Sequence, residues 1–464
     1  MDSTSTKTKR LSAVLNTIKP FGSFWSHLWQ RLQGEGIGAV LVRGASGSFV
    51  VQVLAVSIGF GTQVLLARLL GVTQYGLFRY VLAWLGLLGL LSILGMDTSL
   101  VRFASAYKAQ EKWGLLRGLL RRSMQYVVLA SLFTGGITAI VIWGLYDRLG
   151  WETAATFWVA LPLLPVLALT ALRQATLRAF RRVVLAILPE QVILPLLMLA
   201  MVGAFYIYAV QPLLAYQVMI FNLLGALAAF GIGTVWLLKA MPKQVRQVSP
   251  AYADAEWLRV SLPLLFMSGM SIVANQTDII MIGAFLSTDQ VGIYAVASRI
   301  ASLQVFGLIA ANAIVAPMVS ELYHTGKHRQ LQRMITLAAY GVSIVTIFIS
   351  VFLVMLGKQV LGVFGAEFVV GYGPLLILMS GQIVNALAGP VGLLMIMTGH
   401  QNKIAWIVGI GALMNIILNG MLIPAFGIMG AGIATAITII SQNLIMWFYV
   451  QRYLGINPTI FVRA

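Results

Sequence analysis

The sequence predicts an all-α polytopic membrane protein, with about twelve transmembrane helices in two pseudo-symmetric six-helix lobes. Three observations lead there. The 464 residues are 59% hydrophobic and only 9% charged, with a mean hydropathy of +0.91, which is too apolar for a water-soluble globule. Apolar runs long enough to cross a bilayer recur twelve times from Ser46 onward. The chain also repeats itself: LGVTQYGLFRY (Leu70 to Tyr80) matches LSTDQVGIYAV (Leu286 to Val296), and Gly76 and Gly292 stand 216 positions apart. At the same offset Tyr107 meets Tyr323, Leu115 meets Leu331 and Arg117 meets Arg333.

Residues 1–43 carry six cations, two acids and no apolar run long enough for a signal-peptide core, so this segment is expected to stay cytoplasmic. Within it Phe21, Phe24, Trp25, Leu28, Trp29 and Leu32 share one helical stripe. That stripe fits an interfacial helix on anionic lipid, with docking against another protein as the alternative. The spans follow near 46–68, 77–98, 123–146, 153–173, 184–208 and 213–238, which make a first lobe of residues 44–239. A basic linker, 240–257, leads to a second lobe, 258–452, with spans near 259–285, 291–318, 333–356, 372–398, 403–423 and 429–451. Residues 453–464 form a tail.

With the amino terminus inside, 26 of the 31 Lys and Arg residues fall on the cytoplasmic side. Arg68, Arg79, Arg148 and Lys358 lie outside and Arg299 lies within a span. This asymmetry predicts a multi-pass plasma-membrane protein with both termini cytoplasmic. It also explains the net charge of +18 better than nucleic acid does, because the cations segregate to loops on one side. Six spans followed by six place the lobes in parallel orientation about an axis along the membrane normal, and transporters built this way bind substrate between the lobes.

Charges inside spans mark the candidate site, since each costs at least ~2.5 to 3.5 kcal/mol near the bilayer centre. Asp278 and Arg299 lie about equally far from the turn Ser287 to Val291, hence at similar depth. They read either as a structural ion pair or as the wall of a polar transport cavity. Asn275 and Gln276 beside Asp278, and Gln382 with Asn385, suit sugar hydroxyls and interhelical hydrogen bonds equally. Arg68 and Arg79 flank the first outer turn, where they either attract an anionic head group or snorkel to the interface. Glu190 follows Pro189, with Pro195 ahead, and reads as a proton-exchanging carboxyl or as a partner for freed backbone groups. Gly389 with Pro390 marks a kink.

No nucleotide motor or metal centre is expected. Gly326-Lys327 and Gly357-Lys358 lack the rest of a P-loop, there is no cysteine, and the four histidines form no ligand pair on an apolar face. The expectation is a secondary transporter rather than an enzyme, without a cofactor. An H+ or Na+ gradient, the membrane potential or downhill removal of product would drive it, with Asp278 and Glu190 as candidate coupling groups.

Three stretches carry a family resemblance: LLARLLGVTQYGLFRYVLAW (Leu65 to Trp84), DIIMIGAFLSTDQVGIYAVASRIA (Asp278 to Ala301) with APMVSELY (Ala316 to Tyr323), and MNIILNGMLIPAFGIMGAGIATAI (Met414 to Ile437). They resemble the Wzx-type oligosaccharide flippases of the multidrug/oligosaccharidyl-lipid/polysaccharide (MOP) exporter superfamily. The resemblance implies a V-shaped, MATE-like bundle in a bacterial inner membrane. It implies the flipping of undecaprenyl-diphosphate-linked oligosaccharide repeat units for O-antigen, lipopolysaccharide or exopolysaccharide biosynthesis. Implied partners are the polyprenyl-diphosphate-linked glycan, membrane lipids, glycosyltransferases and a glycan polymerase. Drug-exporting relatives often carry an acid in the first helix, whereas the repeat equivalent of Asp278 is Thr62. The lipid II branch looks like a fourteen-helix protein with several early arginines, which this chain lacks. The alternatives are a multidrug or cation antiporter, or a membrane-embedded glycan polymerase or ligase; the last fits poorly because the longest outer stretch, about Gly357 to Gly373, is short.

The topology is open to a direct test, because the chain has no native cysteine. Single cysteines at Lys108, Gln244 and Lys327 are expected to resist an impermeant thiol reagent added to intact spheroplasts. Labelling of any one of them breaks the twelve-span arrangement.

Overall fold

The computed structural model describes residues 37–208 and 212–459, and every regular element among them is helical. The amphipathic stripe from Phe21 to Leu32 lies outside the described residues. Contacts divide the chain into Met1–Leu54, helical over 37–54, and the main body Ala55–Ala464.

Helix α1 (Ile37–Ile93) contains one break, at Gly71, where φ is 69° and only glycine is unstrained. The apolar part of this helix, Leu54–Ile93, has 40 residues. At ~1.5 Å per residue that is about twice the bilayer's hydrocarbon thickness, so the break at Gly71 folds two spans out of one helix. Among the described residues eleven helical stretches are long and apolar enough to cross a membrane, and resolving the first into its two arms is consistent with the expected twelve.

The first half continues with α2 (Met96–Ala109), α3 (Trp113–Gly144), α4 (Trp151–Ala160), α5 (Leu163–Ala179), α6 (Val183–Leu188), α7 (Leu194–Tyr208) and α8 (Ala215–Ala240). The second half holds α9 (Asp254–Phe285), α10 (Thr288–Ala301), α11 (Phe306–His324), α12 (His328–Gly362), α13 (Tyr372–Ala388), α14 (Val391–Met397), α15 (Gln401–Phe426) and α16 (Ile428–Tyr449). Between α6 and α7 a π turn, Pro189–Ile193, widens the helix where two prolines withhold backbone donors. The apolar run 372–398, one span in sequence, divides between α13 and α14 at Gly389, whose φ is 72°.

Three cores show how the halves meet. The largest joins them, with Leu66, Tyr75 and Phe78 of α1 and Phe157 of α4 packed with Ile282, Tyr294, Phe364 and Leu375 of the second half. A second core centres on the first half, around Leu100, Tyr107, Leu116 and Leu172, and takes in Trp257 at the start of α9. The third belongs to the second half alone, around Val319, Leu331, Ile335 and Leu394. The halves therefore share one core at one end, while at the other, called here the parted end, each has a core of its own and the start of α9 bridges to the first half at Gly95; this end carries the basic loops 102–122, 173–182 and 321–333.

The shared end is fastened where the sequence repeat crosses itself. A Cβ on Gly76 would collide with the Thr288 carbonyl, and one on Gly292 with the Val72 carbonyl. Because 288 and 292 are the repeat equivalents of 72 and 76, the contact is reciprocal and the pseudo-twofold axis passes between the two glycines. Around them Tyr75 meets Phe368 edge-on at 5.9 Å, Phe60 meets Phe364 at 5.4 Å, and Arg68 Nε donates to the Val363 carbonyl at 2.5 Å.

Arg173 differs from its sequence reading as the edge of a cytoplasmic loop. Only 3% exposed, it pairs with Glu190 and fills a notch over Gly233 of α8. The span continues through it to Ala179, because Glu190 supplies the counter-charge that lets the guanidinium stay buried.

Gly76→Ala is expected to push the shared end apart, since its methyl has no space beside a main-chain carbonyl and overpacking costs ~1 to 3 kcal/mol. Spin labels at Thr73 and Asp289 then report a longer distance than in the parent chain. An unchanged distance distribution contradicts the closed crossing.

Candidate functional site

Asp278 and Arg299 do not form the ion pair that equal depth allows. Among the described residues the ion pairs are Arg122–Asp254 and Arg173–Glu190. The two turn to different sides: Asp278 into the second half and Arg299 toward the first.

Asp278, 7% exposed, sits where α9, α10, α15 and α16 converge. Its Oδ1 accepts from Asn419 Nδ2 at 2.9 Å, and its Oδ2 accepts from Thr435 Oγ1 at 2.6 Å and from the Tyr294 hydroxyl. Asn419 Nδ2 also reaches Asn415 Oδ1 at 3.0 Å, and Asn415 Nδ2 donates to Thr435 Oγ1 at 3.1 Å. The buried carboxyl thus has hydrogen-bond donors in place of a counter-ion, and Asn419 Oδ1 is buried without a partner. Here a carboxyl, two carboxamides and two hydroxyls gather in one place, all of them hard oxygen donors. Sequence reasoning found Asp278 but missed Tyr294, Asn415, Asn419 and Thr435. The one available signal was the pair Asn415 and Asn419, four apart and hence on one face of an apolar span.

Arg299, on the last turn of α10, is exposed and reaches toward α1, where a Cβ on Gly59 would stand 3.8 Å from its Nη2. Arg79 and the Tyr75 hydroxyl lie within electrostatic reach of it. Tyr75 is held by its hydroxyl donating to Gln63 Oε1 at 2.7 Å, and Arg79 Nε is buried without a hydrogen-bond partner. Two guanidinium groups therefore face the seam between the halves, and neither belongs to an ion pair among the described residues.

The other predicted site residues divide. Gln276 packs across the seam on Gly86, whose built Cβ would lie 3.3 Å from the Gln276 amide nitrogen. Asn275 is exposed and its Nδ2 donates back to the Ser271 carbonyl at 2.8 Å. Arg68 is taken up by the closure at Val363, apart from the Arg79–Arg299 group. Glu190 pairs with Arg173 and accepts from Gln174 Nε2 at 3.0 Å, wholly within the first half. Thr62 is buried and its hydroxyl donates to its own helix at Ile58, so the first half has no counterpart of the Asp278 cluster at that position.

Comparison with known proteins agrees with this architecture. The polysaccharide biosynthesis protein family matches residues 41–323. A curated relative, "Probable low-salt glycan biosynthesis flippase Agl15" of Haloferax volcanii, is 25% identical over 181 residues, 39% of this chain and 38% of its own length. Among solved structures, lipid II flippase MurJ in an inward closed conformation superposes with a TM-score of 0.68 at 16% identity, covering 87% of each chain. An inward-facing MATE-family multidrug resistance transporter of the MOP superfamily superposes with a TM-score of 0.65 at 16% identity, covering 91% of this chain and 96% of its own. The structural likenesses establish the fold, the family match runs over more than half of the sequence, and the chain accordingly belongs to the polysaccharide biosynthesis protein family.

Proposed function

We propose that this protein flips an undecaprenyl-diphosphate-linked oligosaccharide from the cytoplasmic to the outer leaflet of a bacterial plasma membrane, by alternating access and as a step in cell-surface polysaccharide synthesis. The two lobes, 44–239 and 258–452, rock about the seam, with the basic linker between them and both termini in the cytoplasm. The observation that carries this reading is the Arg79–Arg299 pair in the seam. Two cations within electrostatic reach of one another, neither in an ion pair among the described residues, repel, and an anion with two adjacent phosphates would relieve that cost. An antiporter of organic cations would not place two positive groups there. The basic loops at the parted end support access from the cytoplasm, and Arg68 then locks the outer end while the substrate loads.

Arg299 and Arg79 bind the diphosphate, Gln276 lines the passage, and Asn275 lies beside it. Asp278 is the coupling group, because its oxygen cluster would hold a sodium ion or a proton, whereas Glu190 is occupied by Arg173 and serves the first half as a buried pair. A sodium ion at the cluster would supply a positive charge that the Asp278 carboxylate neutralises.

Two predictions separate these roles. Arg299→Ala is expected to abolish glycan export while the protein accumulates normally, Arg299→Lys to retain part of it, and the double variant Asp278→Asn, Arg299→Ala to stay inactive. Export restored in the double variant returns the two residues to a structural pair. For Asp278→Asn alone, flipping in proteoliposomes is expected to lose its response to an imposed Na+ or H+ gradient yet keep a slow ungated rate. An unaltered response to both gradients removes Asp278 from coupling.

A further inference from the structure

The second half contains a cavity of about 290 Å³ between α11, α13 and α16, toward the parted end. Five carboxamides line it: Asn312, Gln382, Asn385, Gln442 and Asn443. The remaining lining includes Leu308, Ile439 and Met446, and among the described residues contains no acidic, basic or histidine side chain. We propose that this cavity is a subsite for the uncharged sugar residues of the transported glycan, set apart from the arginine pair that takes the diphosphate. The inference rests on the function proposed above and adds to it the class of sugar recognised and the residues that read it.

The chemistry follows from what the cavity contains and what it omits. A wall meant only for a prenyl chain would be apolar, since each carboxamide buried without a partner costs free energy in a membrane protein. A wall meant for phosphate or a uronic acid would carry Arg or Lys. A carboxamide offers a donor and an acceptor side by side, and so does a sugar hydroxyl. The five groups satisfy one another only in part. Asn385 Nδ2 donates to Gln382 Oε1 at 3.1 Å and Asn443 Nδ2 donates to its own helix at Ile439, while Asn312 Oδ1 is buried without a partner. The break at Gly389 and Pro390 adds wall that is not helical.

Position supports the same reading. The lining residues Val305, Leu308 and Asn312 follow Arg299 along the rod of α10 and α11 by six, nine and thirteen residues, roughly 9 to 20 Å at helical rise. The cavity is therefore offset from the diphosphate toward the parted end, where a glycan attached to that diphosphate can extend.

The test uses the intact chain in nanodiscs with one cysteine, Leu308→Cys. Two probes are compared throughout, undecaprenyl diphosphate and the same lipid bearing a neutral hexose trisaccharide, and a third, the lipid bearing a uronic acid trisaccharide, is used with the aspartate variant. Only the glycosylated lipid is expected to protect the cysteine from a maleimide. Adding Gln382→Leu and Asn385→Leu is expected to weaken that protection about tenfold, the loss of a hydrogen bond or two, without altering binding of the bare lipid. Asn385→Asp, which keeps the size, serves if the leucine variant does not fold, and is expected to disfavour a uronic acid trisaccharide more than the neutral one. Equal protection by both lipids means that the cavity holds the prenyl chain and overturns the proposal, as does full protection retained in both variants. Arg79→Ala with Arg299→Ala is read separately: unchanged binding of the bare lipid refutes the diphosphate site and leaves the subsite to be judged on its own variants.

Discussion

The rest of the structure depends on the backbone crossing at Gly76 and Gly292. Neither position tolerates a side chain, because each glycine faces a main-chain carbonyl of the other half. Such a contact has no rotamers to relax through: the halves are either seated on one another there or separate. Everything at the shared end follows from that seating. The ring contacts Tyr75–Phe368 and Phe60–Phe364 and the reach of Arg68 to Val363 require the two backbones to be close. The Arg79–Arg299 group is a consequence as well, since the same approach brings α10 alongside α1 and leaves two like charges near one another.

Charge is distributed differently on the two sides of this crossing. In the second half a lone carboxyl is buried among hydroxyls and carboxamides, neutral groups that orient around it. In the first half a carboxylate and a guanidinium bury each other, with Gly233 giving up its side-chain volume to Arg173. Within one internally repeated fold, the two halves have solved the cost of a buried charge in unlike ways. The solution with neutral partners leaves the carboxyl chemically available, whereas the ion-paired one does not.

Much of this was legible in the sequence. Spanning lengths, the basic loops and the repeat through Gly76 and Gly292 gave the helical plan, since hydrophobic thickness and glycine spacing are one-dimensional properties of a chain. The site was legible only in part. Asp278 and Arg299 stood out as charges in apolar segments, and rise per residue put them at one depth, but their azimuth depends on which helices surround each of them. Asn419 and Thr435 lie 141 and 157 positions from Asp278, and no local pattern announces a partner at that separation. Arg173 was misread because a basic residue at the edge of an apolar run looks the same whether it ends the run or is neutralised within it by Glu190.

Helix α9 belongs to both halves. Near its start Trp257 Nε1 donates to the Tyr107 hydroxyl at 3.0 Å and Ser261 Oγ to Ser99 Oγ at 2.7 Å, which ties it to the first half, while Asp278 and Ile282 are built into the second. It also lies against the first half between those clamps, Gly269 on Leu90 and Gln276 on Gly86, so the helix is shared along its length rather than at its ends alone. The stretch between the clamps contains Pro263, where the helical ladder lacks one hydrogen bond and bending stiffness is lowest. A bend at Pro263 would therefore be carried by the same helix that, about four turns farther on, holds Asp278 in its cluster of hydroxyls and carboxamides.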